Sequence, residues 1–266
     1  MITGTIMDTA ITTITGTGTG TVMSLGMGTA MTDQMTPGAL YRLMTFLSPA
    51  FPVGAFTYSH GLEQVIDQGV VTDRAELARW LEDVLRFGAG RTDAILLAET
   101  YRCFLAADAT GVQDLRELGL ALQPSRERHL ETAAQGTAFI QTTRKSWTPE
   151  GSGTAVLFGG LADADRDDWP YPVAVGLVCA AHAIPLDAAV TSFLQAFAAN
   201  LVSAAIRAVP LGQNDGQLVV AELETAIHDV AEEALRSGIE DLGSSAFHAD
   251  IASMAHETQY SRLFRS

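Results

Sequence analysis

Residues 188–209 read AAVTSFLQAFAANLVSAAIRAV, and this stretch decides the fold. Phe193, Phe197, Leu201 and Ala205 recur every four positions, which an α-helix gathers into one apolar stripe. The run is too long and too alanine-rich for a strand. Ser192, Gln195, Asn200 and Arg207 interrupt it, so it reads as a core helix and not as a bilayer span. Downstream, Val219, Leu223, Ile227, Val230 and Ala234 form a second stripe, and a last helix is expected from about Glu240 through Met254. Upstream lies the most apolar stretch, Tyr171 to Ile184, interrupted by Gly176 and His182 and too short to cross a bilayer. Val173 to Val178 could pass for a short buried strand, but the run length and Ala-rich flanks favour helix.

The same pattern extends toward the N-terminus. Thr72-Asp73 offers an N-cap before Leu77, Leu81, Val84 and Leu85. A helix is expected from about Arg91 to Ala107, and another begins near Gly111 with Leu115, Leu118 and Leu122. Ser125 caps a long helix from Arg126 to about Lys145. No convincing period-two run, βαβ rhythm or fixed-period repeat appears. The expected fold class is therefore all-α: a single-domain helical bundle over residues 37–266. Residues 1–36 are low complexity, rich in Thr, Gly and Met, as in Thr15-Gly16-Thr17-Gly18-Thr19-Gly20, and are expected to be a flexible N-terminal extension.

Charge and composition exclude several functions. The 266 residues carry 16 Lys+Arg against 31 Asp+Glu, a net charge of −15. Lys145 is the only lysine. Such a surface suits neither nucleic acid nor an anionic membrane. The first basic residue is Arg42, so the N-terminus lacks the charges of a secretory or transit signal. Cys103 and Cys179 are far apart and sit in no CxxC spacing, which fits small hydrophobes in a reducing, cytoplasmic compartment.

Catalytic chemistry is equally sparse. Gly151-Ser152-Gly153-Thr154 and Gly159-Gly160 are followed by no Lys-Ser/Thr and so make no P-loop, reading instead as a surface loop. No HExxH or nucleophile elbow is present. Glu224, His228 and Glu232 share one helix face, best explained by i,i+4 pairing in solvent. Asp163, Asp165, Asp167 and Asp168 resemble the opening of a calcium loop but lack its glycine and distal glutamate. No catalytic residue, metal ligand set or cofactor is assigned, and the chain reads as an interaction protein.

Three segments carry recognition. The first runs from Leu47 to Glu63 and includes Phe51, Pro52, Gly54, Phe56, Tyr58, Ser59, His60 and Glu63. Its prolines and Gly54 stop the preceding helix and force a structured turn, and Ser59 is placed to cap the next helix. The second, Arg207 to Gln217, contains Pro210, Gly212, Gln213 and Gln217, with Arg207 closing a helix against its negative dipole end. The third is Tyr260-Ser261-Arg262-Leu263-Phe264-Arg265-Ser266, a basic and apolar tip on an acidic chain. A segment so short reads as one that docks on something, with side chains such as Arg262 and Phe264 that the fold itself should not need.

Taken in order, these segments resemble the UreF family of urease accessory proteins, in which an FPxGxF-containing segment ending in GLE, a VPLGQ segment and a closing YSRLFRS recur. The resemblance covers roughly residues 38 to 266. It implies an all-α homodimer with no turnover of its own, acting with UreD (also called UreH) and the GTPase UreG to insert nickel into apo-urease. The closing segment and the helix before it would then dock on UreD, and the first two segments would shape the dimer and the surface facing UreG. Two other roles fit the same complex. One is a GTPase-activating protein using Arg207 or Arg262. The other is a direct nickel metallochaperone using His248, His256 or the Glu224-His228-Glu232 face.

Overall fold

The computed structural model describes residues 34–162 and 168–266. Among them the chain forms α-helices and two short 3-10 turns, with no strand. Residues 1–33 lie outside the described residues, as do Asp163, Asp165 and Asp167.

Sequence signals set most helix boundaries. Helix α1 (Pro37–Phe46) has Pro37 in its first turn, and its N-cap Thr36 accepts a hydrogen bond from the Ala39 N–H. A 3-10 turn (Ala55–Thr57) and α2 (Leu62–Asp67) follow. Asp73 caps α3 (Arg74–Phe87) by accepting from the Glu76 N–H at 2.9 Å. Then come α4 (Ala89–Leu105), α5 (Ala109–Ala121) and α6 (Arg126–Ser146), the last capped by Ser125 as expected. The remaining helices are α7 (Ser152–Leu161), α8 (Tyr171–Ala181), α9 (Leu186–Ala208), α10 (Gln213–Glu222), α11 (Glu224–Arg236) and α12 (Phe247–His256).

Helix α8 is the axis of the bundle. Every residue from Pro172 to Ala181 is buried, which explains why its sequence shows no polar face. It packs between α4 and α6. The α4 contact is very close: a Cβ on Gly176 would stand 2.4 Å from the Leu97 carbonyl oxygen. Helix α9 packs on α4 and α11. By length and composition α9 could cross a membrane, yet half of its most apolar stretch is buried here, including Phe193, Leu194 and Leu201.

Two expectations are corrected. The glycines at 151–160 do not form a loop: Ser152–Leu161 is helix α7, because Phe158 and Leu161 are buried, and that gain offsets the glycine penalty. The last helix does not run from Glu240. After a 3-10 turn at Ile239–Asp241 the chain turns through Gly243, at φ 148°, and is spent on the junction of α3 and α4. There the Phe87 carbonyl accepts from the Ser245 and Ala246 N–H groups, and Thr92 Oγ1 donates to the Gly243 carbonyl. Only then can α12 begin.

Candidate functional site

The first and third recognition segments meet. Gly61, at φ 76°, lets the 47–63 segment run against α12, since a Cβ there would lie 2.6 Å from the Ser253 nitrogen. Glu63 is buried on α2, and its carboxylate accepts from the backbone N–H of Leu263 at 2.7 Å and of Phe264 at 3.0 Å. The Arg265 N–H donates to the Thr57 carbonyl at 2.8 Å. Ser59 donates its N–H (2.6 Å) and its hydroxyl to the Ser266 carbonyl. Residues 263–266 thus bind along the first segment almost as an added strand.

Charged side chains hold this clasp from beneath. His256 is fully buried, with Nε2 3.1 Å from Glu63 Oε2 and Nδ1 2.6 Å from Glu127 Oε2. Both ring nitrogens therefore face carboxylates. Arg262 completes the chain by donating to Glu127 Oε1 at 2.6 Å. From the second segment only Arg207 joins. Its guanidinium donates to the Phe56 carbonyl at 2.8 Å and lies 4.5 Å above the Phe264 ring, a cation–π contact.

Next to the clasp a second polar cluster is buried. Glu131 on α6 pairs with Arg128 at 2.5 Å and with His60 Nε2 at 2.7 Å, and it accepts from Gln135 and Ser266. Burial would raise the Glu131 pKa, but the Arg128 charge, then His60 and Ser266, hold it down to about 2. Burial, with help from Arg128, lowers the pKa of His60 against the pull of Glu131. Asp93 on α4 is pushed up to about 7 by burial, which Arg128 only partly offsets. His60, Asp93, Arg128 and Glu131 floor a cavity of about 320 Å³ whose apolar walls include Phe51, Tyr171, Phe193 and Phe197.

The segments divide into inward and outward residues. Phe51, Tyr58, Ser59 and Glu63 are buried, and Gly54, at φ 74°, opens the 3-10 turn. Pro52 is exposed, as is Phe56, at 64 %. Pro210, Gln213 and Gln217 are exposed around the start of α10, and the Gly212 N–H is capped by Asp215. Tyr260, Ser261, Arg262, Leu263 and Arg265 are exposed. Phe264 is only 6 % exposed, so the expectation that the fold does not need it is corrected: its ring is covered by Arg207 and its N–H by Glu63.

Sequence reading missed Asp93, Glu127, Arg128, Glu131 and, as a clasp residue, His256. One signal was available on α6: Arg128, Glu131 and Gln135 lie in register with Phe139, on the face a core helix buries, so they had to be paired. The Glu224-His228-Glu232 face is exposed, with His228 3.9 Å from Glu224.

Fold and site define an all-α scaffold with a closing segment clasped onto its own first loop and apolar side chains left facing outward. The UreF family profile matches residues 71–224. A urease accessory protein UreF of Rhodopseudomonas palustris (strain HaA2) is 51% identical over 230 residues, covering 86% of this chain and 94% of its own. One from Bradyrhizobium diazoefficiens is 50% identical over 228 residues, covering 86% and 92%. A third, from Rhodopseudomonas palustris (strain BisA53), is 48% identical over 244 residues, covering 89% and 100%. The chain belongs to the UreF family.

Proposed function

We propose that this chain is a non-catalytic, cytoplasmic urease accessory protein. It acts as a homodimeric scaffold that, with UreD/UreH and the GTPase UreG, supports nickel insertion into apo-urease. Family membership and one structural feature support this. Helix α12 buries Ala252, Ser253 and His256 but turns Phe247 (68 %), Ile251 (60 %) and Met254 (50 %) outward. Tyr260 and Leu263 of the clasped segment are exposed as well. An apolar stripe of this kind on an acidic protein marks a protein interface, here assigned to UreD. A second outward set on α1, Leu40, Tyr41 and Met44, is assigned to the second copy of the chain.

The clasp argues against an arginine-finger role, because Arg207 is engaged by Phe56 and Phe264, and Arg262 by Glu127. It argues equally against nickel on His256, whose two nitrogens already have carboxylate partners. The test is co-purification with UreD of the full chain and of Leu263→Asp, a substitution at an exposed side chain. Retention of UreD by the wild type and loss by the variant is expected. Equal retention overturns the assignment of this face.

A further inference from the structure

The 320 Å³ cavity beside the clasp has on its floor one carboxyl, that of Asp93, that no contact within the described chain satisfies. Asp93 is a buried residue with 7% exposure. Among the described residues its carboxyl makes no hydrogen bond or ion pair, although an isolated buried carboxylate is costly. Beside it, His60 spends Nε2 on Glu131 and leaves its buried Nδ1 without a partner. With Nε2 donating, the neutral ring of His60 offers a lone pair at Nδ1. The neighbouring Arg128 is already matched by Glu131 at 2.5 Å, so that pair contributes little net charge. What remains on the floor is one unmatched carboxyl, since the buried Nδ1 of His60 lies beneath the cavity surface. Aromatic side chains, Phe51, Tyr171, Phe193 and Phe197, stand along the walls.

We propose that this cavity binds a small organic cation with a flat apolar body, an amidinium or guanidinium whose N–H fork pairs with Asp93 while its body lies among the aromatic walls. The chemistry follows from what the floor lacks. A carboxylate without donors calls for N–H groups and takes a planar fork in bidentate fashion, and aromatic faces attract a cation. The volume lies in the range of pockets that enclose small ligands. Loading such a cation would hold Asp93 ionised, because the ion pair favours the charged carboxylate over the neutral acid that burial favours.

The probes are benzamidine, benzamide and benzoate, alike in shape and differing in charge, titrated calorimetrically into the full chain near pH 8. Benzamidine is expected to bind at least about tenfold more tightly than either of the others, a difference of ~1.4 kcal/mol. Asp93→Asn, close in shape but uncharged, is expected to remove that preference while its thermal unfolding stays cooperative. Binding of all three probes within a factor of about three, tighter binding of benzoate, or no heat with benzamidine at millimolar concentration overturns the proposal, whatever the variant does.

Discussion

Single residues fix the chemistry of the clasp, and Glu63 is the one on which most bonds converge. It receives two backbone N–H groups and one side of the His256 ring, the bonds to Phe264 and His256 buried and that to Leu263 partly so. Hydrogen bonds to charged groups contribute ~1.5–3 kcal/mol each. Glu63→Gln replaces one acceptor oxygen with a donor that faces other donors. The amides of Leu263 and Phe264 are then expected to exchange with solvent at least about tenfold faster, with little change in the core of α8. Hydrogen exchange read by mass spectrometry on the last peptide checks this, and unchanged protection there would refute the role of Glu63. The second cluster makes a prediction in pH. The folded pKa of Asp93, about 7, lies above its ordinary 3.8, so between pH 4 and 7 the folded chain binds the extra proton and stability falls as pH rises. Glu131 runs the other way: held at about 2, it contributes stability above its ordinary 4.5 that is lost as pH drops toward 2. Asp93→Asn removes the first effect alone. Its stability relative to the wild type should climb between pH 5 and pH 8 in urea unfolding, and a constant difference would contradict the buried, unpaired carboxyl.

Helices were legible where caps and stripes agreed and illegible where distant contacts decided. Asp73 and Ser125 each carry a side chain that accepts an N–H three residues on, so local sequence alone located α3 and α6. No local rule makes a helix of Ser152–Leu161, with its three internal glycines; the burial of Phe158 and Leu161 does, and it depends on where α8 lies. The start of α12 was misjudged for a similar reason, since residues 242–246 are drawn off by the Phe87 carbonyl of α3 and by Thr92 of α4. Glycine therefore has opposite meanings in two helices. At Gly176 an added methyl meets the Leu97 carbonyl at 2.4 Å, and Gly176→Ala should cost ~1–3 kcal/mol by forcing α4 and α8 apart. At Gly159 nothing lies within 4 Å, and Gly159→Ala should stabilise by ~0.5–1 kcal/mol through the unfolded chain and helix propensity. Chemical unfolding of both variants distinguishes them by sign; a loss at Gly159 would mean that the α7 face is packed against something.

The whole molecule combines segments that sequence order presents as separate. Each recognition segment was visible through its aromatics, prolines and arginines, but their union was not, because the link between Glu63 and Leu263 spans the chain and no periodicity encodes it. The buried charges were hidden for a related reason: a glutamate such as Glu131 is read as solvent-facing until Arg128, His60 and Ser266 are seen around it. Once the segments are assembled, apolar side chains of α12 and of α1 still stand exposed among the described residues, on different elements. If they serve different partners, they should fail independently. Ile251→Glu with Met254→Glu places charge on the α12 stripe without touching buried Ala252, Ser253 or His256, and it should abolish co-purification with UreD while leaving the dimer intact. Tyr41→Asp with Met44→Glu does the same to α1, leaving buried Ala39, Leu43 and Phe46 in place, and should shift the chain from dimer to monomer in sedimentation. Because neither pair removes a core side chain, both variants should unfold within about 1 kcal/mol of the wild type. Loss of UreD binding in the α1 variant as well would mean that the UreD surface spans two copies of the chain, so that dimerisation is a condition of assembly and not a parallel event.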